Sequence, residues 1–234
     1  MEENIPPVIV PSPAIQTPAP LQPVAGEGIV GYCVRIGWDL LWKNPGFSIG
    51  SMVLYLVIIS ILSGGQWGYR ECSSCMSGGM GIISFILSPV LAVGLQYAFL
   101  KVVRGGEGKV GDIFSGFSKF IPVFFTALLF YLVIIGGLLL LVVPGIIFGL
   151  GFCWSMLTVM DRNISYSQAL RTSWRMMNGH KWDLFKLGLL LLVINIAGLI
   201  CLVVGVVFTA ALSHYALTAF YQRMLETEGG TSKP

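Results

Sequence analysis

The sequence predicts an all-α, polytopic membrane protein of about six transmembrane helices, and three observations carry that expectation. Apolar residues make up 55% of the 234 and charged residues only 11%, roughly half the charged share of a water-soluble domain. Six apolar stretches approach the about 20 residues that a helix needs to cross about 30 Å of hydrocarbon, and a helix is required there because lipid offers no partner for an unpaired backbone amide. Of the 14 Lys and Arg residues, all but Arg70 collect on one side of the six stretches, in their loops, terminal segments or span ends, the pattern that orients spans in a bilayer.

Residues 1–28 come first. Met1-Glu2-Glu3-Asn4 is acidic where a secretory signal is basic, so no cleavable signal is expected. Pro6, Pro7, Pro11, Pro13, Pro18, Pro20 and Pro23 follow. A segment so rich in proline and so poor in bulk cannot bury enough apolar area to offset its ordering entropy, so a disordered or polyproline II arm is expected, a tether or an SH3-type ligand.

The membrane domain is expected over 29–224 as three hairpins, with stretches at 47–63 and 81–103, 121–142 and 145–160, and 184–202 and 204–222. Val143-Pro144-Gly145 separates the legs of the second hairpin, because proline removes a helix donor and glycine permits the turn; Gly205 acts more weakly in the third. Ser88-Pro89 is expected to kink its helix, and Gly46 with Gly50, or Gly145 with Gly149, to let helices approach closely.

Each hairpin follows a short amphipathic stretch. In the first, at 29–43, Ile29, Tyr32, Cys33, Ile36 and Leu40 oppose Arg35, Asp39 and Lys43. In the second, at 108–120, Val110, Ile113, Phe114, Phe117 and Ile121 oppose Asp112, Ser115 and Lys119. The third, at 165–178, opens on a capping box, Ser165-Tyr166-Ser167-Gln168, sets Tyr166, Leu170, Trp174 and Met177 against Gln168, Arg171 and Arg175, and stops at Asn178-Gly179. With Trp38, Trp42, Trp174 and Trp182 at their ends or flanks, these helices suit the headgroup layer, and Arg171 and Arg175 add attraction for anionic lipid. The charge asymmetry places the N-terminus, the 101–120 and 161–183 loops and the 225–234 tail in the cytoplasm, as in a multi-pass protein of the inner cell membrane.

Gly111-Asp112-Ile113-Phe114-Ser115-Gly116-Phe117, Val143-Pro144-Gly145-Ile146-Ile147, Ser167-Gln168-Ala169-Leu170 and Gly179-His180-Lys181-Trp182 together form a recognisable set. The set resembles a large bacterial family of multipass proteins of unknown function related to the membrane domain of glycerophosphoryl diester phosphodiesterases, over roughly residues 29–224. That resemblance implies a membrane module without the soluble catalytic barrel, and it carries over no catalytic residue.

The chemistry-bearing residues are few. Cys72-Ser73-Ser74-Cys75 lies on the predicted outer loop as a candidate disulfide or two idle thiols, and zinc would need about four ligands where His180 and His214 lie elsewhere. No metal or cofactor is expected. Cys33, Cys153 and Cys201 sit in apolar runs and read as packing. All 11 acidic residues fall outside the predicted spans or at their edges, which leaves Gln96, Asn195 and His214 as the intramembrane polar candidates, either for interhelical hydrogen bonds or for a substrate path. The glycines around Glu107 lack the spacing and hydroxyl of a phosphate loop. A net charge of +3, dispersed along the chain, does not predict nucleic-acid binding.

Three function classes remain. The first is a non-enzymatic module that organises lipid or a protein partner through its cytoplasmic helices and proline-rich arm. The alternative is a small channel or transporter with a path between the three hairpins, lined by Gln96, Asn195 and His214. An intramembrane lipid-modifying enzyme would need a nucleophile and a base at one depth, and His214 has no carboxylate near it in the predicted spans.

Overall fold

The computed structural model of the chain describes residues 28–63, 74–140, 142–200 and 202–231. Among them the regular elements are all helical: α1 (Ile29–Lys43), α2 (Pro45–Ser63), α3 (Ser74–Val103), a 3-10 helix (Val110–Lys119), α4 (Phe120–Leu140), α5 (Val142–Phe152), α6 (Ser155–Arg162), α7 (Tyr166–Met177), α8 (Lys181–Ile200) and α9 (Leu202–Thr231). Four described stretches are long and apolar enough to cross a membrane: Pro45–Leu62, Ser84–Val103, Val110–Gly137 and Lys181–Ile200. The predicted proline-rich arm up to residue 27 and residues 64–73 of the predicted 64–80 loop lie outside the described residues, while 74–80, expected in that loop, form the first turns of α3.

Two kinds of helix surface divide the molecule. α2, α4 and α8 turn large apolar side chains outward, with Ile61, Ile135 and Ile200 each at least 65% exposed; a surface of that extent suits lipid and not water. α1, the second half of α3 and most of α9 do the opposite. Cys33, Phe99, Leu100, Tyr215, Phe220 and Tyr221 have no exposed surface and share one core.

α1 lies along α9 in the opposite sense. Tyr32 meets Arg223 and Trp42 meets Phe208, and between them Gly37 leaves room for Leu212 and Ala216. α3 is joined to α2 by the Phe47–Phe99 ring contact and by Ser84 Oγ donating to the Leu62 carbonyl at 2.7 Å. Ser48 Oγ and Tyr215 Oη, 3.0 Å apart, tie α2 to α9.

The three amphipathic stretches form where the sequence places them, but they dock their inner faces on protein. In the 3-10 helix the apolar residues read as one face divide between two. Ile113 and Gly116 are buried, whereas Phe114, Phe117 and Ile121 are exposed by 40% or more, because three residues per turn align i with i+3 where an α-helical reading assumed 3.6. The face of α7 is also rotated: Ala169, Ser173, Met176 and Met177 are buried, and Tyr166 is exposed. Ser165 stands at the N-cap of α7 but its side chain makes no cap bond, and its Oγ lies 3.2 Å from Ser167 Oγ.

The fourth predicted stretch, 145–160, is broken. The chain turns at Cys153-Trp154, leaving α5 and α6 of 11 and 8 residues. Hydroxyl groups compete for the carbonyls there: Ser155 Oγ donates to Phe152 O, Thr158 Oγ1 to Trp154 O, and Ser173 Oγ, from α7, to Gly151 O. At the other end of the chain the predicted 225–234 tail is not separate, since α9 continues to Thr231. Arg223 and Gln222 both reach Glu226 there, at 3.4 Å.

Candidate functional site

Two places gather polar or aromatic side chains from distant parts of the sequence. The first lies where α3, α6 and α9 meet. Arg104, just past α3, grips Asp161 at the end of α6 with both terminal nitrogens: Nη1 donates to Oδ1 and Nη2 to Oδ2, the latter at 2.7 Å. Tyr221 Oη donates to the same Oδ2 at 3.2 Å, and Arg104 Nε donates to Gln222 Oε1 at 2.9 Å. The Arg104 and Asp161 side chains are only 12% and 2% exposed. Burial on its own would lower the Arg104 guanidinium, but the hydrogen bond and charge of Asp161 outweigh it and raise its pKa above the usual arginine value.

Charges around this cluster are also spoken for. Lys101 Nζ pairs with Asp112 at 3.0 Å, the Lys109 amide donates to the same carboxylate at 3.2 Å, and Lys119 Nζ donates to the Met160 carbonyl at 2.9 Å. Burial raises the Tyr32 phenol, and the Glu226 carboxylate adds to the rise. Each of the three guanidinium nitrogens of Arg104 has a protein acceptor, so the cluster acts as a clasp between helices.

The second place is the corner between α5, α7 and α8. The absent side chain of Gly151 lets the Trp174 ring lie against α5, where a Cβ would come within 2.4 Å of Cε3. Trp174 also packs on Phe148 and Phe152, with ring centroids 5.7 and 5.2 Å away. Lys181 Nζ sits 3.5 Å above the same ring, a cation–π geometry. Next to it opens a cavity of about 450 Å³ lined by Ile146, Ile147, Leu150, Gly179, Lys181, Trp182 and Phe185.

Sequence reasoning named several of these residues and missed others. Trp38, Trp42 and Trp182 are 51%, 57% and 72% exposed, and Arg171 and Arg175 are exposed on α7; Trp174 instead is half-buried in the corner just described. Asn195 Nδ2 donates to Ser213 Oγ and to the Leu191 carbonyl, each at 2.7 Å, joining α8 to α9. His214 stacks on Phe99 of α3 at 5.4 Å between centroids, and Gln96 is half-buried on α3 with no hydrogen-bond partner among the described residues. Cys72 and the side chain of Cys75 lie outside the described residues. Arg104 and Asp161 were counted only as loop charges, because their pairing spans 57 positions and leaves no local pattern.

Among the described residues no group of His, Cys, Asp and Glu is arranged to hold a metal ion. No protein-family profile, curated protein or solved structure matches the chain.

Proposed function

We propose that the protein is a non-enzymatic module of the inner cell membrane that organises lipid, or a protein partner, at the cytoplasmic face. The observation that carries this reading is the pairing of exposed aromatic rings with cations on the elements flanking the apolar helices. On α1, Trp38 and Trp42 lie edge to face, 5.9 Å apart, beside exposed Lys43. At the start of α8, Trp182 meets Phe185 at 5.7 Å between Lys181 and Lys186. Indoles favour the headgroup level, where the ring is buried and the N–H stays wet, and each nearby cation adds about 1 kcal/mol of attraction to an anionic surface.

In the proposed topology α2 with α3, α4 with α5, and α8 with α9 form three hairpins that provide six membrane legs, and both chain ends face the cytoplasm. The charge asymmetry supports that orientation, with Arg70 alone on the opposite side. The α5–α6 leg is discontinuous, which a membrane permits where the break is covered by protein, and Trp154 and Ser155 at the break are buried. The resemblance to the phosphodiesterase membrane domain agrees with a module that lacks chemistry of its own. Because the amphipathic helices dock their inner faces on protein, only their outer faces are available for lipid or a partner.

The reading is tested by reconstituting the purified protein in bilayers with traces of spin-labelled lipids that differ in headgroup. Selective immobilisation of the anionic probe over the zwitterionic one is expected. Equal immobilisation, together with solute flux from loaded vesicles, would favour the channel reading.

A further inference from the structure

We propose that the corner cavity between α5, α7 and α8 is a binding site for one anionic phospholipid, with an acyl chain in the groove and the phosphate at Lys181. The inference deepens the lipid-organising reading and rests on it. Ile146, Ile147 and Leu150 of α5 and Phe185 of α8 make the walls apolar. The volume of about 450 Å³ falls within the roughly 300–1,000 Å³ of small-molecule pockets. α5 and α8 already expose Ile146, Ile147, Phe185 and Leu189 outward, each by 39% or more, so the groove opens on a surface suited to lipid.

Charge decides which lipid. Lys181 is the one cation among the residues lining the cavity, and the face of Trp174 holds its ammonium from one side at 3.5 Å. Among the described residues no carboxylate pairs with it: Asp183, two positions on, lies 3.6 Å from Lys186. An ammonium fixed by an aromatic face keeps donors free for a phosphate oxygen without rearrangement. Trp182, 72% exposed, stands beside that position as an indole does at headgroup level. A water-soluble phosphate compound would leave the apolar walls uncovered, so the occupant is a lipid.

The test is native mass spectrometry of the full-length protein released from bilayers of equal parts phosphatidylglycerol and phosphatidylcholine with matched chains. The wild type should retain one phosphatidylglycerol through detergent washing. Lys181→Gln should retain it about fivefold less, the factor for one lysine near an anionic surface, and Ile147→Trp, which fills the groove from its exposed side, should lose it. Lys181→Arg should keep it, and Lys109→Gln, which removes one exposed positive charge remote from the cavity, should match the wild type. Equal loss in Lys181→Gln and Lys109→Gln would overturn the site while leaving a general preference for anionic lipid intact. No preference in the wild type would overturn both readings.

Discussion

Asp161 contributes most to stability through what it keeps Arg104 from losing. Its carboxylate is 2% exposed and receives both arms of the guanidinium and the Tyr221 hydroxyl, so Asp161→Ala leaves a buried cation without its anion. A loss of about 3–5 kcal/mol is expected, read as a lower unfolding midpoint in detergent micelles. The double variant Arg104→Met with Asp161→Leu should recover most of that loss, because well-packed apolar groups often replace a buried ion pair at little cost. Asn195 offers the contrast. Its bond to Ser213 crosses between two helices, and Asn195→Ala should cost only about 0.6 kcal/mol, since a chain unfolded in the membrane finds other partners. A midpoint shift in Asn195→Ala as large as in Asp161→Ala would mean that the α8–α9 contact, and not the Arg104 clasp, governs stability. Neither ranking could be read from sequence, where Asp161 was a loop charge and Asn195 an intramembrane candidate.

At the level of elements, periodicity located the helices and mistook some of their faces. Apolar spacing placed α1, the 3-10 helix and α7 within a few residues, yet the helix type that turns Phe114 and Phe117 outward depends on packing with α3. That packing accounts for Gly116 within the Gly111–Phe117 motif, whereas Gly111 has nothing within 4 Å. A Cβ on Gly94 would stand 1.9 Å from the Ile113 carbonyl oxygen, and one on Gly116 2.2 Å from that of Val90, so backbone meets backbone at two points. The sequence reading names two glycine pairs for close approach: at the first, Gly46 has nothing within 4 Å and Gly50 would make an ordinary 3.5 Å contact with Val110, whereas at the second a Cβ on Gly137 of α4 would stand 2.9 Å from the Gly145 Cα of α5, with Gly149 only 3.9 Å from Ile134. Gly94→Ala should therefore destabilise by about 1–3 kcal/mol, as overpacking does. Gly50→Ala should be neutral or slightly stabilising, since alanine is the better helix former. Thermal unfolding of the two variants side by side checks this, and equal midpoints would show that α3 and the 3-10 helix are not in this contact. Asn163, whose φ is 52°, is the left-handed cap that ends α6.

For the molecule as a whole, composition was enough to give the class, while the side of the membrane on which each loop lies follows from a charge count that the packing makes testable at two points. Arg104 donates to Gln222, and Arg223 lies 5.8 Å from the Tyr32 ring. The turn after α3, the start of α1 and the last turns of α9 are therefore neighbours, and whatever side holds one holds the others. Glu107 and Thr227 are exposed on these segments. In intact cells a membrane-impermeant thiol reagent should leave the Glu107→Cys and Thr227→Cys variants unlabelled at the new thiol and label both after permeabilisation. Cys72, and Cys75 in the first turn of α3, should label without permeabilisation, after reduction if they are joined, because the charge asymmetry sets this end of α3 opposite the cytoplasm. Labelling of both new thiols from outside would invert the topology and remove the cytoplasmic lipid surface. Labelling of one alone would mean that the Arg104–Gln222 contact does not form in the membrane, because a single end of the bundle cannot face both sides.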